Sequence, residues 1–218
     1  MAEIRWYGHN CFRIRAKEAT VIVDPVGRET GYVMAKQTAD VVLISHDHAG
    51  HANLNAVKPE FQTIQGPGEY EMHDAFFTGI RTYHDAETGK VHGYNTAYMI
   101  DLEGIHFCHL GDLGHALNEE QIEVLGTCDV LMVPVGGGTV MSVELAAEMI
   151  GLLEPKVVIP MQYATPVGDK SLGGLEPFCK ALGVAVPEAE EKLTLKLSEL
   201  TDVMRMVVLN PDSESVKR

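Results

Sequence analysis

The chain has 218 residues, 45% of them hydrophobic, enough apolar material for one continuous core. Its formal net charge of −14 works against polyanionic partners, because nucleic acid or an anionic membrane would meet repulsion in place of counterion release. No stretch nears the roughly 20 consecutive apolar residues of a membrane span, and the opening MAEIRWYGHN enters a strand-like segment without a signal-peptide pattern, so the expected compartment is the cytoplasm. Cys11, Cys108, Cys128 and Cys179 have no paired spacing and read as buried free thiols, not as a disulfide framework or zinc ribbon.

Taken in chain order, apolar and polar residues alternate through Cys11 to Arg15, and Thr20 to Val23 is a short apolar run ending at Asp24-Pro25, so both predict strands. Val41 to Ile44 is apolar throughout, the mark of a strand buried on both faces, and it stops at Ser45-His46-Asp47-His48-Ala49-Gly50-His51. Further strands are predicted at Gln62 to Ile64, Phe76 to Tyr83, Thr96 to Asp101 and Ile105 to His109, with Gly66-Pro67-Gly68 and Ala86 to Gly93 as turns. The second half alternates: helix Glu119 to Leu125, strand Val130 to Pro134, helix Ser142 to Leu153, strand Val157 to Pro160 and a helix within 171–183. Leu193 to Leu197 and Val203 to Leu209 close the pattern as strands. One domain over 1–211 and a disordered polar tail over 212–218 are expected, the domain being two face-to-face sheets covered by helices.

The chemistry should sit on the loop after Val41 to Ile44. Histidines at i and i+2 of an extended segment project to one side, and a third at i+5 returns after a glycine-assisted turn. Three in six residues, directly after a buried strand, point to metal ligation. This loop resembles the His-x-His-x-Asp-His signature of the metallo-β-lactamase superfamily. The likeness continues through Trp6-Tyr7-Gly8-His9, Val23-Asp24-Pro25, Gly66-Pro67-Gly68-Glu69-Tyr70, Tyr83-His84-Asp85, His109-Leu110-Gly111-Asp112 and Ile159-Pro160-Met161-Gln162-Tyr163, and looks closest to the branch of ascorbate-6-phosphate lactonases.

That resemblance implies an α/β fold, an αββα sandwich of two mixed sheets flanked by helices, with the site between the sheet edges. It also implies that His46, His48 and His84 supply three nitrogens to a first cation and that Asp112 reaches it from the Gly-Asp turn. Zinc suits that donor set best, with manganese or iron as alternatives. His51 matches the second-metal histidine, and Asp24 looks like a buried group that hydrogen-bonds loop amides or fixes a ligand histidine. Two departures fall on the second metal position: Gly50 stands for the signature aspartate and Gln162 for a late histidine. A second ion is therefore expected to bind weakly or not at all, with His9, His115 and Gln162 as candidates to fill the gap.

The implied activity is hydrolysis of a small ester or lactone by metal-bound hydroxide, with Asp112 orienting it and His115 or His9 protonating the leaving group. The alternatives are a catalytically degenerate member that binds metal or ligand, and a phosphodiesterase or nuclease. The latter is disfavoured by the missing second-metal ligands and by the acidic surface. The partner would be a small molecule, with an anionic one suggested by Val135-Gly136-Gly137-Gly138-Thr139, whose other reading is a tight turn at the cleft rim. A homo-oligomer is suggested by the resemblance alone.

Overall fold

The computed structural model describes residues 1–212. Four strands open the chain: β1 Ala2–Trp6, β2 Phe12–Arg15, β3 Thr20–Val23 and β4 Val41–Ile44. After β5 Gln62–Gln65 and β6 Gly68–Met72 come two long strands, β7 Ala75–Tyr83 and β8 Tyr94–Leu102, and then β9 Ile105–His109. The alternating half contributes α1 Glu119–Leu125, β10 Val130–Pro134, α2 Val143–Leu153, β11 Val157–Met161 and α3 Leu175–Ala181, followed by β12 Leu193–Leu195 and β13 Arg205–Met206.

They form two mixed sheets, β12-β1-β2-β3-β4-β5 and β13-β11-β10-β9-β8-β7-β6. Each combines antiparallel pairing on one side with parallel pairing on the other: β3, β4 and β5 run parallel in the first, as do β9, β10, β11 and β13 in the second. The period of two sorts their side chains. From β4, Val41 and Leu43 enter the core between the sheets, whereas Val42 and Ile44 join a second cluster with Tyr7, Cys11, Ile22, Tyr32 and Met34. An apolar run therefore marked a strand with both faces covered. The α-helices pack against the seven-stranded sheet or one another, α1 on β7, α2 on β10 and α3 on α2. The other sheet is covered by irregular chain with short 3-10 turns at Arg28–Thr30 and Leu54–Ala56.

β6 begins at the last glycine of the Gly66-Pro67-Gly68 turn, in a stretch for which no strand was expected. Its residues Gly68-Glu69-Tyr70-Glu71-Met72 form an exposed edge strand without a buried alternation to betray it, and pairing with β7 is what makes it a strand. The late strands are also shorter than their apolar runs, and the third helix occupies only the middle of 171–183. Of the polar tail, Asp212 is described and donates its backbone N–H to Trp6 O at 2.8 Å, and the remainder lies outside the described residues. The four cysteines are free and buried. Among the described residues no helix is long and apolar enough to cross a membrane.

One side chain ties the layers together beside the histidine loop. The Tyr98 hydroxyl, fully buried on β8, donates to Ile44 O at 2.9 Å and accepts from Gly66 N–H at 3.0 Å, fastening the end of β4 to the opposite sheet. Tyr98→Phe leaves both backbone groups without this partner and should cost about 1–3 kcal/mol, measured as a lowered urea midpoint. An unchanged midpoint would mean that these groups find other partners.

Candidate metal centre

Five side chains converge between the sheets, and each arrives at a strand end. His46, His48 and His51 come from the loop after β4, which is held in a tight turn by His48 N–H to His46 O at 3.1 Å and His51 N–H to His48 O at 2.9 Å. His84 directly follows β7, and Asp112 follows β9 through Leu110-Gly111. Gly111 is obligatory: at φ 58° a Cβ would lie 2.3 Å from Asn95 Oδ1 and 2.8 Å from Ser45 Cβ.

Asp112 is the centre of the cluster and only 3% exposed. Its Oδ2 lies 2.8 Å from His84 Nε2, 3.5 Å from His51 Nε2 and 3.6 Å from His46 Nε2. Its Oδ1 accepts a short hydrogen bond from Asn10 Nδ2, and its backbone N–H donates to Asn95 Oδ1 at 3.0 Å. Burial alone would raise this carboxyl, but His51, His84 and His46 together hold it well below the ordinary carboxylate range. The converse holds at His51 and His84, where desolvation opposes the charged imidazole yet Asp112 leaves both raised.

His46 behaves differently, because burial dominates and pushes it down to about 3 despite Asp112. Its protonation follows from counting hydrogens. Asp24 accepts Ser45 N–H at 2.7 Å and the Ser45 hydroxyl at 2.6 Å. With its one hydrogen given to Asp24, Ser45 Oγ can only accept from His46 Nδ1–H, 2.8 Å away. His46 Nε2 is therefore bare, buried and without a hydrogen-bond partner, with the Asp112 carboxylate in front of it. An acceptor facing an acceptor is repulsive unless a cation stands between them.

The donor atoms of His46, His48 and His84 lie within 4.8 Å of one another, as do those of His46, His51 and Asp112. Ligands about 2.0–2.2 Å from one tetrahedral cation are roughly 3.4 Å apart, so both sets are compact enough. These residues fit a divalent metal of the zinc class in donor type, spacing and charge.

The remaining candidates divide. His9 Nε2 lies 3.1 Å from His51 Nε2, behind the ligand set, and burial followed by the charge of His51 pushes its imidazole down to about 4. A Cβ at Gly50 would meet Thr30 Cγ2 at 2.8 Å and His9 Nε2 at 3.8 Å, so the Thr30 methyl and the His9 ring border the space a residue-50 side chain would enter. Gln162 is buried with its Oε1 unpartnered. His9, Asp24 and Gln162 all hold positive φ, of 51°, 46° and 52°, which non-glycine residues keep only where surroundings enforce it.

His115 was expected as a proton donor or replacement ligand, and the structure sets both of its ring nitrogens against the backbone. Its Nε2 accepts Tyr83 N–H at 3.0 Å and its Nδ1 donates to Ala116 O at 2.7 Å, so both nitrogens serve the backbone. The glycine run behaves as a turn: a Cβ at Gly136 would press on Gln162 O at 2.2 Å, and the helix that follows is capped by its own Ser142. Asn10 and Asn95, which orient Asp112, were missed. The available signal was an amide beside a glycine motif at a strand boundary, which many surface asparagines share.

Asp85 shapes the cavity wall. Its carboxylate accepts four backbone N–H groups, from Glu87, Gly89, Val91 and His92, at 2.8–3.0 Å. The His92 bond leads in lowering it from 3.8 to about 2. A depressed carboxylate favours the folded loop above its unfolded pKa, and that contribution is lost as pH falls through about 2. The amide resonances of these four residues should titrate together near pH 2, and titration near the ordinary 3.8 would show the cradle unformed. Ser45→Ala removes the acceptor of His46 Nδ1–H and should weaken zinc binding about 10- to 100-fold in a chelator competition. Unaltered affinity would sink the relay from Asp24 through Ser45 to His46.

A two-sheet α/β sandwich with histidines and one aspartate gathered at its strand ends defines a candidate metal-binding protein. Residues 3–162 match the family model described as a beta-lactamase superfamily domain, and the chain belongs to that family, among the UPF0173 metal-dependent hydrolases. A UPF0173 metal-dependent hydrolase of Thermoplasma volcanium is 30% identical, over 88% of this chain and 99% of its own length. A Thermotoga maritima structure, assigned to the Zn-dependent hydrolases of the metallo-beta-lactamase superfamily, superposes with a TM-score of 0.78 at 34% identity. The match covers 96% of this chain and 98% of that one. The metallo hydrolase Igni18 of Ignicoccus hospitalis, at 21% identity and TM-score 0.64 over 90% and 99% of the two chains, shares the fold.

Proposed function

We propose that this chain hydrolyses a small ester or lactone at a single tightly held cation, zinc in the first instance, carried by His46, His48, His84 and Asp112. The observation that carries the reading is the bare, buried His46 Nε2 facing the Asp112 carboxylate. When bound, such a cation lowers the pKa of its water from about 15.7 toward 7 and polarises the electrophilic oxygen.

The protein's own contribution is orientation. Asn10 and Asn95 fix the Asp112 carboxylate so that Oδ2 faces the histidines, where it can take a hydrogen bond from the attacking water. Asp24 and Ser45 hold the His46 tautomer. His48 is the exposed member of the set and lies on the wall of an open cavity of about 370 Å³, which admits substrate to the ligands. Water supplies the atoms added across the scissile acyl–oxygen bond. The departing alkoxide takes its proton from solvent in that cavity, since His115 is fully engaged elsewhere.

Gly50, His9 and Gln162 support one ion over two. No carboxylate comes from position 50, and the neighbouring space holds the His9 ring, already 3.1 Å from the His51 nitrogen a second ion would need. The same substitutions favour a second reading, a member that keeps its cation but not its turnover.

Elemental analysis of protein purified without added metal should give one ion per chain, and His48→Ala should lose it along with ester and lactone hydrolysis. Gly50→Asp combined with Gln162→His should move the count toward two. Two ions in the unaltered protein would refute the single-cation reading, and one ion without turnover on ester and lactone panels would select the non-catalytic one.

A further inference from the structure

Two cavities flank the histidine cluster, and they differ in charge. The one on the His9 side, about 420 Å³, is bordered by Glu29 and Asp169 and by no lysine or arginine. The one on the His48 side has Arg81 as its only lysine or arginine, together with Gln65, His92, Tyr94 and Thr96, and Asp47 from the ligand loop. Arg81 and Tyr94 belong to neighbouring strands, and the guanidinium carbon lies 5.0 Å from the Tyr94 ring centroid. Tyr94 in turn packs on Tyr83 with ring centroids 5.8 Å apart. The guanidinium is thereby laid on an aromatic floor beside the cavity, a placement that keeps its N–H groups available for an oxyanion. Among the described residues no carboxylate forms an ion pair with Arg81, and Tyr94 is 63% exposed.

We propose that Arg81 and Tyr94 form an anion subsite, so that the substrate carries a carboxylate or phosphate at a distance from the bond that is hydrolysed, with a flat or apolar portion resting on Tyr94. The inference rests on the hydrolase reading above and adds to it the substrate's charge and the direction of entry. A chain of net charge −14 repels anions at long range, so selectivity for one requires a local cation at the point of binding. The two acidic side chains at the other cavity oppose the reverse orientation.

The test uses zinc-loaded full-length protein and three aryl acetates: 4-acetoxybenzoate, 4-acetoxyphenyl phosphate and the uncharged methyl 4-acetoxybenzoate. At least one of the anionic esters should exceed the methyl ester in kcat/KM, and which one does identifies the oxyanion. Arg81→Gln should reduce that preference tenfold or more, chiefly through KM, and Arg81→Lys should restore part of it. Absence of any anionic preference, or equal loss on charged and uncharged esters in Arg81→Gln, would overturn the subsite.

If none of the three is cleaved, the hydrolase reading fails for aryl esters while the subsite is still decided by calorimetry with benzoate and inorganic phosphate. At least tenfold weaker binding of either in Arg81→Gln, with Arg81→Lys intermediate, supports it. Equal affinities, or no binding to the unaltered protein, overturn it.

Discussion

A single buried carboxylate organises the centre of this protein. Asp112 has almost no access to water, and an isolated charge there would be prohibitively costly. It is tolerated because Asn10 and its own backbone bond to Asn95 fix it, and because three imidazoles face its free oxygen. The neighbouring architecture follows from that need: Gly111 at positive φ lets the chain pass Asn95 and Ser45, and the Asp24–Ser45 pair sets which His46 nitrogen is bare. A proton at His84 and a cation among the ligands are competing ways to neutralise the same charge, so metal uptake should release protons.

Much of the architecture is legible in the sequence where burial is two-sided or alternation is strong. Val41 to Ile44, Ile105 to His109 and Val130 to Pro134 match their strands residue for residue, and the Asn118 capping box explains why the first helix begins at Glu119. Legibility fails where tertiary pairing decides, as in β6, whose glutamates and glycine make a strand only because β7 lies alongside. The same division applies to the site. Histidine spacing pointed to the loop after β4, whose histidines the structure gathers with His84 and Asp112, whereas Asn10 and Asn95 act through contacts spanning 102 and 17 residues, for which a single chain carries no local signal. His115 shows the opposite case: a histidine close to Asp112 in sequence has both ring nitrogens against backbone groups.

Positions 50 and 162 have different physical settings. Gly50 has His9 beside it, held at positive φ by the turn from Gly8 and by the bond from Trp6 Nε1 to its carbonyl. Gln162 keeps the left-handed backbone and the burial, yet its oxygen has no partner. The space beside position 50 is packed, whereas Gln162 has an unsatisfied acceptor, so the two positions should respond differently to substitution.

The candidate ligands are divided between the layers: the three loop histidines hang from the six-stranded sheet, whereas His84 and Asp112 hang from the seven-stranded one. A cation held by both groups would therefore be a rivet between two half-structures that share a core and, beside it, the hydrogen bonds from Tyr98 to Ile44 and from Asn10 to Asp112. At a free-ion concentration 1,000 times its dissociation constant such a rivet adds about 4 kcal/mol to the folded state. Because such an ion would join side chains of both sheets, its gain and loss should be felt in how far the cleft between them can gape.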